Sequence, residues 1–170
     1  MNKISEEYKK HLEDKYQELL HDPKVNRMKE VPMHRGSNCY MHSFRVAKRA
    51  VHKAIRRKGV DVEAVLVAAV LHDYYLYDWR KDKTLKKKHG RRHPYIAAKH
   101  AVEDFGVNDL VKKIIESHMW PLNFKEYPHT KEAKILSISD KGIALREGLT
   151  FAHHKKKKWV KYEEMISHLF

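Results

Sequence analysis

The sequence holds a single cysteine, Cys39. One thiol cannot close an internal disulfide, which excludes the cross-linked framework of a small secreted domain and makes a reducing compartment, the cytoplasm, the expectation. Long apolar runs are missing too. The longest, Ala64 to Leu71, falls far short of the roughly 20 residues that a bilayer-spanning helix needs. Residues 1–8 carry Glu6 and Glu7 where a secretory signal would be apolar, so no targeting segment is expected there. Glycine and proline are scarce, at six and five residues, and no flexible linker is expected to divide the chain. No Asn-Gly hairpin signal and no run of alternating apolar and polar residues argues for a strand.

What remains is helical periodicity in a chain of 170 residues, enough for one domain with a real core and too few for two large ones. Residues 5–20 form an amphipathic N-terminal helix. From Tyr40, the positions Phe44, Ala47, Val51, Ala54 and Ile55 recur at helical steps, with Ser37 or Asn38 as cap and Gly59 as stop. Asp61 caps a second stretch through Val62, Val65, Leu66, Ala69 and Val70 that delivers the next turn to His72 and Asp73. Pro94 is expected to open a helix that Gly106 ends, after a long loop over residues 76–93. Further helices are expected from Val107 to His118, from Lys131 to Arg146, and near Trp159 to Leu169. The fold class is therefore all-α, a single bundle of about six to eight helices. The organisation expected is a helical extension over 1–33, a central domain over 34–148, and a basic C-terminal segment over 149–170 that packs on it.

Fourteen histidines need sorting. Asp73 continues the stripe of Leu66, Ala69 and Val70, so a carboxylate follows directly on a buried face, where it needs a cation, hydrogen bonds or a raised pKa. Asp140 lies between Leu136 and Ile143 on an inward side, and His118 extends the face of Val111, Ile114 and Ile115. Taken singly, an inward histidine is ordinarily a core residue bonded to backbone, and an inward aspartate a cap or an ion pair. Together, three groups of metal-ligand type aim inward from three helices, and a divalent cation would satisfy them. Periodicity alone does not separate such a site from a buried polar network.

The ordered set His42, His72-Asp73, His93, His118 and Asp140 resembles the HD-domain superfamily of metal-dependent phosphohydrolases over about residues 34–148. The strings HDYYLYDW at 72–79, HGRRHP at 89–94 and HMWPL at 118–122 resemble, more closely, small stand-alone bacterial HD-domain proteins. The resemblance implies that His42, His72, Asp73 and Asp140 hold a first metal, that His93 and His118 add ligands for a second, and that Asp73 bridges the two. His42 lies off the apolar stripe of its own helix, between Arg45 and Arg49 at the next turns, and would line a cavity rather than the packed core. Two divalent ions from the set manganese, iron, nickel, cobalt, zinc and magnesium would lower the pKa of a shared water and neutralise charge on phosphate oxygens. The several imidazoles make a pure magnesium site the weakest choice.

The expected activity is hydrolysis of a phosphomonoester or phosphodiester, with a nucleotide as the first candidate. Asp73, His72 and Lys141 are the expected catalytic residues. Lys141, His34, Arg35, His89 and Arg92 are the expected substrate contacts, and Asp78 a candidate acceptor for the second N–H of a ligand histidine. Trp79 and Trp120 read as wall residues. The Gly-Lys that often follows the His-Asp pair is absent, since Tyr74-Tyr75-Leu76 stands there, and the Gly-Tyr-Pro signature of cyclic dinucleotide phosphodiesterases is missing.

Charge divides unevenly along the chain. Of a formal +14, residues 80–92 contribute +7 and residues 153–161 contribute +5. A basic stretch between two ligand segments would attract a small phosphorylated substrate. The alternatives are a nucleic-acid-binding protein, for which no reader motif is present, and a metal-bound but catalytically silent regulatory domain. No membrane partner is expected, and the oligomeric state stays open.

Overall fold

In a computed structural model, residues 4–33, 37–81, 83–150 and 164–170 are described, and among them every regular element is a helix. The order is α1 (Glu6–His21), α2 (Pro23–Asn26), a 3₁₀ turn (Arg27–Glu30), α3 (Cys39–Ala54), α4 (Val62–Leu71), α5 (Lys83–Phe105), α6 (Asp109–Ser117) and α7 (Lys131–Thr150). The one β-type pairing among the described residues is an isolated bridge between Pro32 and Asn38. No described helix is long and apolar enough to cross a membrane.

Local signals set the helix starts. The side chains of Ser5, Asn38, Asp61 and Asn108 each accept a hydrogen bond from the backbone N–H three residues on, satisfying a donor that the first helical turn leaves open. Gly59 and Gly106 adopt positive φ at the ends of their segments, where a side chain would be strained.

α4 organises the core. Its sequence, VEAVLVAAVL, is apolar almost all round, and such a helix is stable only when neighbours cover every side. It packs against α3, α6, α7, α1 and α5, and Val65, Leu66, Ala68, Ala69, Val70 and Leu71 are fully buried. The His-Asp doublet therefore leaves the most enclosed helix of the bundle and arrives in its interior.

One expectation about an element is overturned. Pro94 does not open a helix: α5 begins at Lys83 and runs through Pro94, so much of the loop expected over 76–93 is helical. Proline removes the bond to the Gly90 carbonyl four residues earlier, yet the buried side chains of His93, Ala97, Ala98 and Ala101 hold both sides of the interruption against the core. Of the helix expected near Trp159 to Leu169, residues 164–166 are helical, 167–169 are not, and 159–163 lie outside the described residues. Ile166 and Leu169 are buried, and Tyr16 Oη donates to the Ile166 carbonyl at 2.6 Å, which seats this segment on α1.

Candidate metal centre

Five helices deliver the polar residues of the interior. α3 brings His42, the end of α4 brings His72 and Asp73, α5 brings His93, the end of α6 brings His118, and α7 brings Asp140. All six are buried. His72 and His118 each sit just past a helix end, where the ring can turn back on its own last turn: His72 Nδ1 bonds the Ala69 carbonyl at 2.8 Å, and His118 Nδ1 bonds the Ile115 carbonyl at 2.7 Å. His93 Nδ1 likewise bonds the His89 carbonyl at 3.0 Å. A carbonyl only accepts, so in each ring Nδ1 carries the hydrogen and, in the neutral ring, Nε2 presents a lone pair to the centre.

Asp73 divides the group in two. Its Oδ2 lies 3.4 Å from His72 Nε2 and 3.9 Å from His42 Nε2, while its Oδ1 lies 3.2 Å from His93 Nε2 and 4.0 Å from His118 Nε2. Asp140 Oδ1 stands on the first side, 3.0 Å from His42 Nε2 and 3.7 Å from His72 Nε2.

Two observations test whether these residues fit a cation. His72 Nε2 is buried with no hydrogen-bond partner, which is costly for a polar atom in a packed interior. His93 Nε2 and His118 Nε2 face each other at 3.0 Å. In the neutral rings two lone pairs meet there, an arrangement that repels unless positive charge lies between them. The ligand atoms of His42, His72 and Asp140 all lie within 4.8 Å of one another, as do those of His72, Asp73 and His118. The buried His and Asp groups could hold a divalent metal.

Electrostatics in the metal-free protein follow from this crowding. Burial pushes the His42 imidazole down, but hydrogen bonds to Asp140 and Glu147 and their charges outweigh it and lift its pKa from 6.5 to about 10. Burial, with the charges of His72 and His93, lowers His118 to about 3, so that ring is neutral. Burial would raise Asp73 and Asp140, yet the surrounding imidazoles override it and hold both carboxyls below their ordinary value. Cys39 is buried, and desolvation pushes its thiol up, so it offers no thiolate.

The signs give a stability window. The depressed carboxylates contribute stability that is present above pH 3.8 and lost as pH falls below it. His42, with its raised pKa, contributes stability that is full below pH 6.5 and lost as pH rises through about 10. Denaturant midpoints in chelator should therefore peak between these limits, and a midpoint that climbs steadily to pH 10 would contradict the paired state of His42.

One residue that sequence reasoning passed over completes the picture. Glu147 is buried; its Oε2 accepts from His42 Nδ1 at 2.9 Å and its Oε1 from Arg45 Nη1 at 2.8 Å. The signal was present, since Glu147 follows Asp140 by seven residues, two turns along the same face of α7. Asp78 does not take the role expected of it. It bonds Arg80 through both carboxylate oxygens, because the ligand-type histidines find carbonyls or Glu147 instead.

A cavity of about 680 Å³ opens over the group, bounded by Met33, Trp79, His89, Met119, Leu122 and Lys141 among others. Trp79, His89 and His93 stack in series, with ring centroids 5.1 and 4.6 Å apart, and Tyr77 Oη meets His89 Nδ1 at 3.0 Å. Lys141 Nζ bonds the His118 carbonyl at 3.0 Å, the Ser137 carbonyl at 3.3 Å and Ser137 Oγ at 2.6 Å. Those three acceptors use all three ammonium hydrogens. Arg92 is exposed and does not line the cavity, because α5 turns it outward one position before His93. His34 and Arg35 lie outside the described residues.

Residues 39–145, well over half of the chain, match the family described as HD domain. The chain belongs to the HD-domain family. No match was found among curated proteins or among solved structures. HD domains are helical, bind divalent metals and include metal-dependent hydrolases. In this HD domain the His72-Asp73 pair leaves the end of α4, and His42, His93, His118 and Asp140 reach it from α3, α5, α6 and α7.

Proposed function

We propose that this HD domain is a metal-dependent phosphohydrolase that cleaves a phosphomonoester or phosphodiester, with a nucleotide as the first candidate, at two divalent cations shared by Asp73. The observation that carries the reading is the division of Asp73, whose two oxygens face separate sets of imidazoles. His42, His72, Asp140 and Asp73 Oδ2 would hold one cation, and Asp73 Oδ1, His93 and His118 the other. Cations held there supply Lewis acidity toward phosphate oxygens and make water a nucleophile near neutral pH.

The chain itself orients and encloses. Backbone carbonyls fix the His72, His93 and His118 rings so that each Nε2 points to the centre, and Glu147 does the same for His42. Lys141 ties the His118 turn to α7 and acts as a positioning residue; the free donor expected from it for a phosphate is already engaged. Trp79, Met33 and Leu122 offer an apolar wall for the organic part of a small substrate, in a cavity within the size range of small-molecule sites. Lys86, Lys87, Lys88 and Arg91, exposed on α5, raise the local concentration of anions.

A panel of phosphomonoesters and phosphodiesters assayed with each candidate metal tests the reading. Metal-dependent phosphate release supports it, and silence across panel and metals, in protein shown to bind metal, favours a regulatory domain instead. Glu147 gives a narrower test. Glu147→Ala should weaken metal binding by about 10- to 100-fold, the range for partners that orient a ligand histidine, while Glu147→Gln, which keeps an acceptor, should restore part of it. Equal affinities in all three proteins would remove Glu147 from the site.

A further inference from the structure

A second cavity, of about 920 Å³, lies between α3, α7 and the 164–165 turn and meets the metal-type group only at Glu147. Its floor is a stripe on α3, where Arg45, Lys48, Arg49, His52 and Lys53 recur at steps of three and four and so share one face, and Arg56 extends it from the turn just past the helix end. Arg146 of α7 adds to them. The two acids that line it, Glu147 and Glu164, leave a clear excess of positive charge, and Glu147 is already held by His42 and Arg45.

Arg49 is the informative member. Its guanidinium lies flat against Gly142 of α7, so close that a Cβ there would come within 2.7 Å of both Cζ and Nη2. Its Nε is buried and has no hydrogen-bond partner. Packing rather than an acid thus fixes this fork of donors, and a guanidinium held without an acceptor at a cavity wall is built to receive one. Lys53 and Arg56 continue along the cavity, and among the described residues neither forms an ion pair. From Arg49 to Lys53 the helix rises about 6 Å, and Arg56 in the turn beyond carries the row further, past the length of one phosphate group. The lining contains no Trp, Tyr or Phe on which a base could stack.

We infer that this cavity binds a chain of linked phosphates through Arg49, Lys53 and Arg56, independently of the metal-type site. Recognition is of the phosphate chain alone, so inorganic triphosphate and the triphosphate of a nucleotide serve equally.

The test uses full-length protein in chelator at physiological salt, with inorganic triphosphate as the titrant in calorimetry. Arg49→Gln should weaken binding about tenfold or more, the scale of a lost charge-assisted contact. Gly142→Ala should also weaken it, because its methyl displaces the guanidinium without changing any charge. Lys53→Gln, at a half-buried position, guards against misfolding of the first variant and should weaken binding by several-fold. Asp73→Asn should leave it unchanged. A nucleoside triphosphate should match inorganic triphosphate in affinity. The inference is overturned if triphosphate does not bind, or if Arg49→Gln and Gly142→Ala bind it like wild type. It is also overturned if only replacement of Lys155–Lys158 removes binding, or if an oligonucleotide displaces triphosphate with the steep salt dependence of a nucleic-acid surface.

Discussion

Asp73→Ala is expected to abolish metal-dependent phosphate release, with a loss of at least about 10³-fold. Metal ions typically supply several kcal/mol of transition-state stabilisation, and about 4 kcal/mol corresponds to roughly that factor. The loss should exceed that of any other single change, because Asp73 alone among the described residues faces both groups of imidazoles. His118→Ala touches only the Oδ1 side and should leave one cation bound with much reduced turnover. Removing a buried carboxylate from among histidines also threatens the fold, since it leaves their positive charge uncompensated. Asp73→Asn, which keeps the shape, separates the two effects. An Asn protein that is folded, metal-free and inactive supports the account, and one that retains wild-type turnover sinks it.

The second large effect is on stability. The six residues come from α3 through α7, so each cation held among them would tie together three helices, and the pair five, that the unfolded chain cannot gather. Any ligand that binds only the folded state stabilises it by mass action, by about 2.7 kcal/mol per site at a free concentration 100 times Kd. For a chain of this length each kcal/mol raises Tm by roughly 2–4 °C, so saturating metal should raise Tm by roughly 5–10 °C per site over protein in chelator. Asp73→Asn should show no such rise. Binding at neutral pH should also release a proton, because His42 is protonated in the metal-free protein, with its pKa lifted to about 10 by Asp140 and Glu147. Calorimetry in two buffers of different ionisation enthalpy reads that proton directly.

Much of this was legible in the residues. Helical periodicity and caps such as Asn38 and Asp61 located α3 and α4, and the apolar stripe that ends at His72-Asp73 pointed to a carboxylate in the interior. Asp140 and His118 were readable as inward for the same reason. The start of α5 was not, because Pro94 is a strong local stop and only tertiary burial on both sides of it overrides that signal. Glu147 was missed because a glutamate late in a helix looks solvated until the helix facing it is known. The stripe on α3 escaped charge arithmetic by segment: its cations are interleaved with buried apolar residues, and they become one patch only when the helix is wound. Lys141 and Asp78 show the converse. Their residue types suited a phosphate and a histidine, but the nearest acceptors and donors in the fold were Ser137, the His118 carbonyl and Arg80.

The central claim is that Asp73 joins two cation sites. Elemental analysis of purified wild-type and Asp73→Asn protein, with divalent metal counted per chain after dialysis, tests it most directly. The account predicts two equivalents in the wild type and none in the variant. A wild type without metal, or a variant that retains the wild-type content, would contradict it.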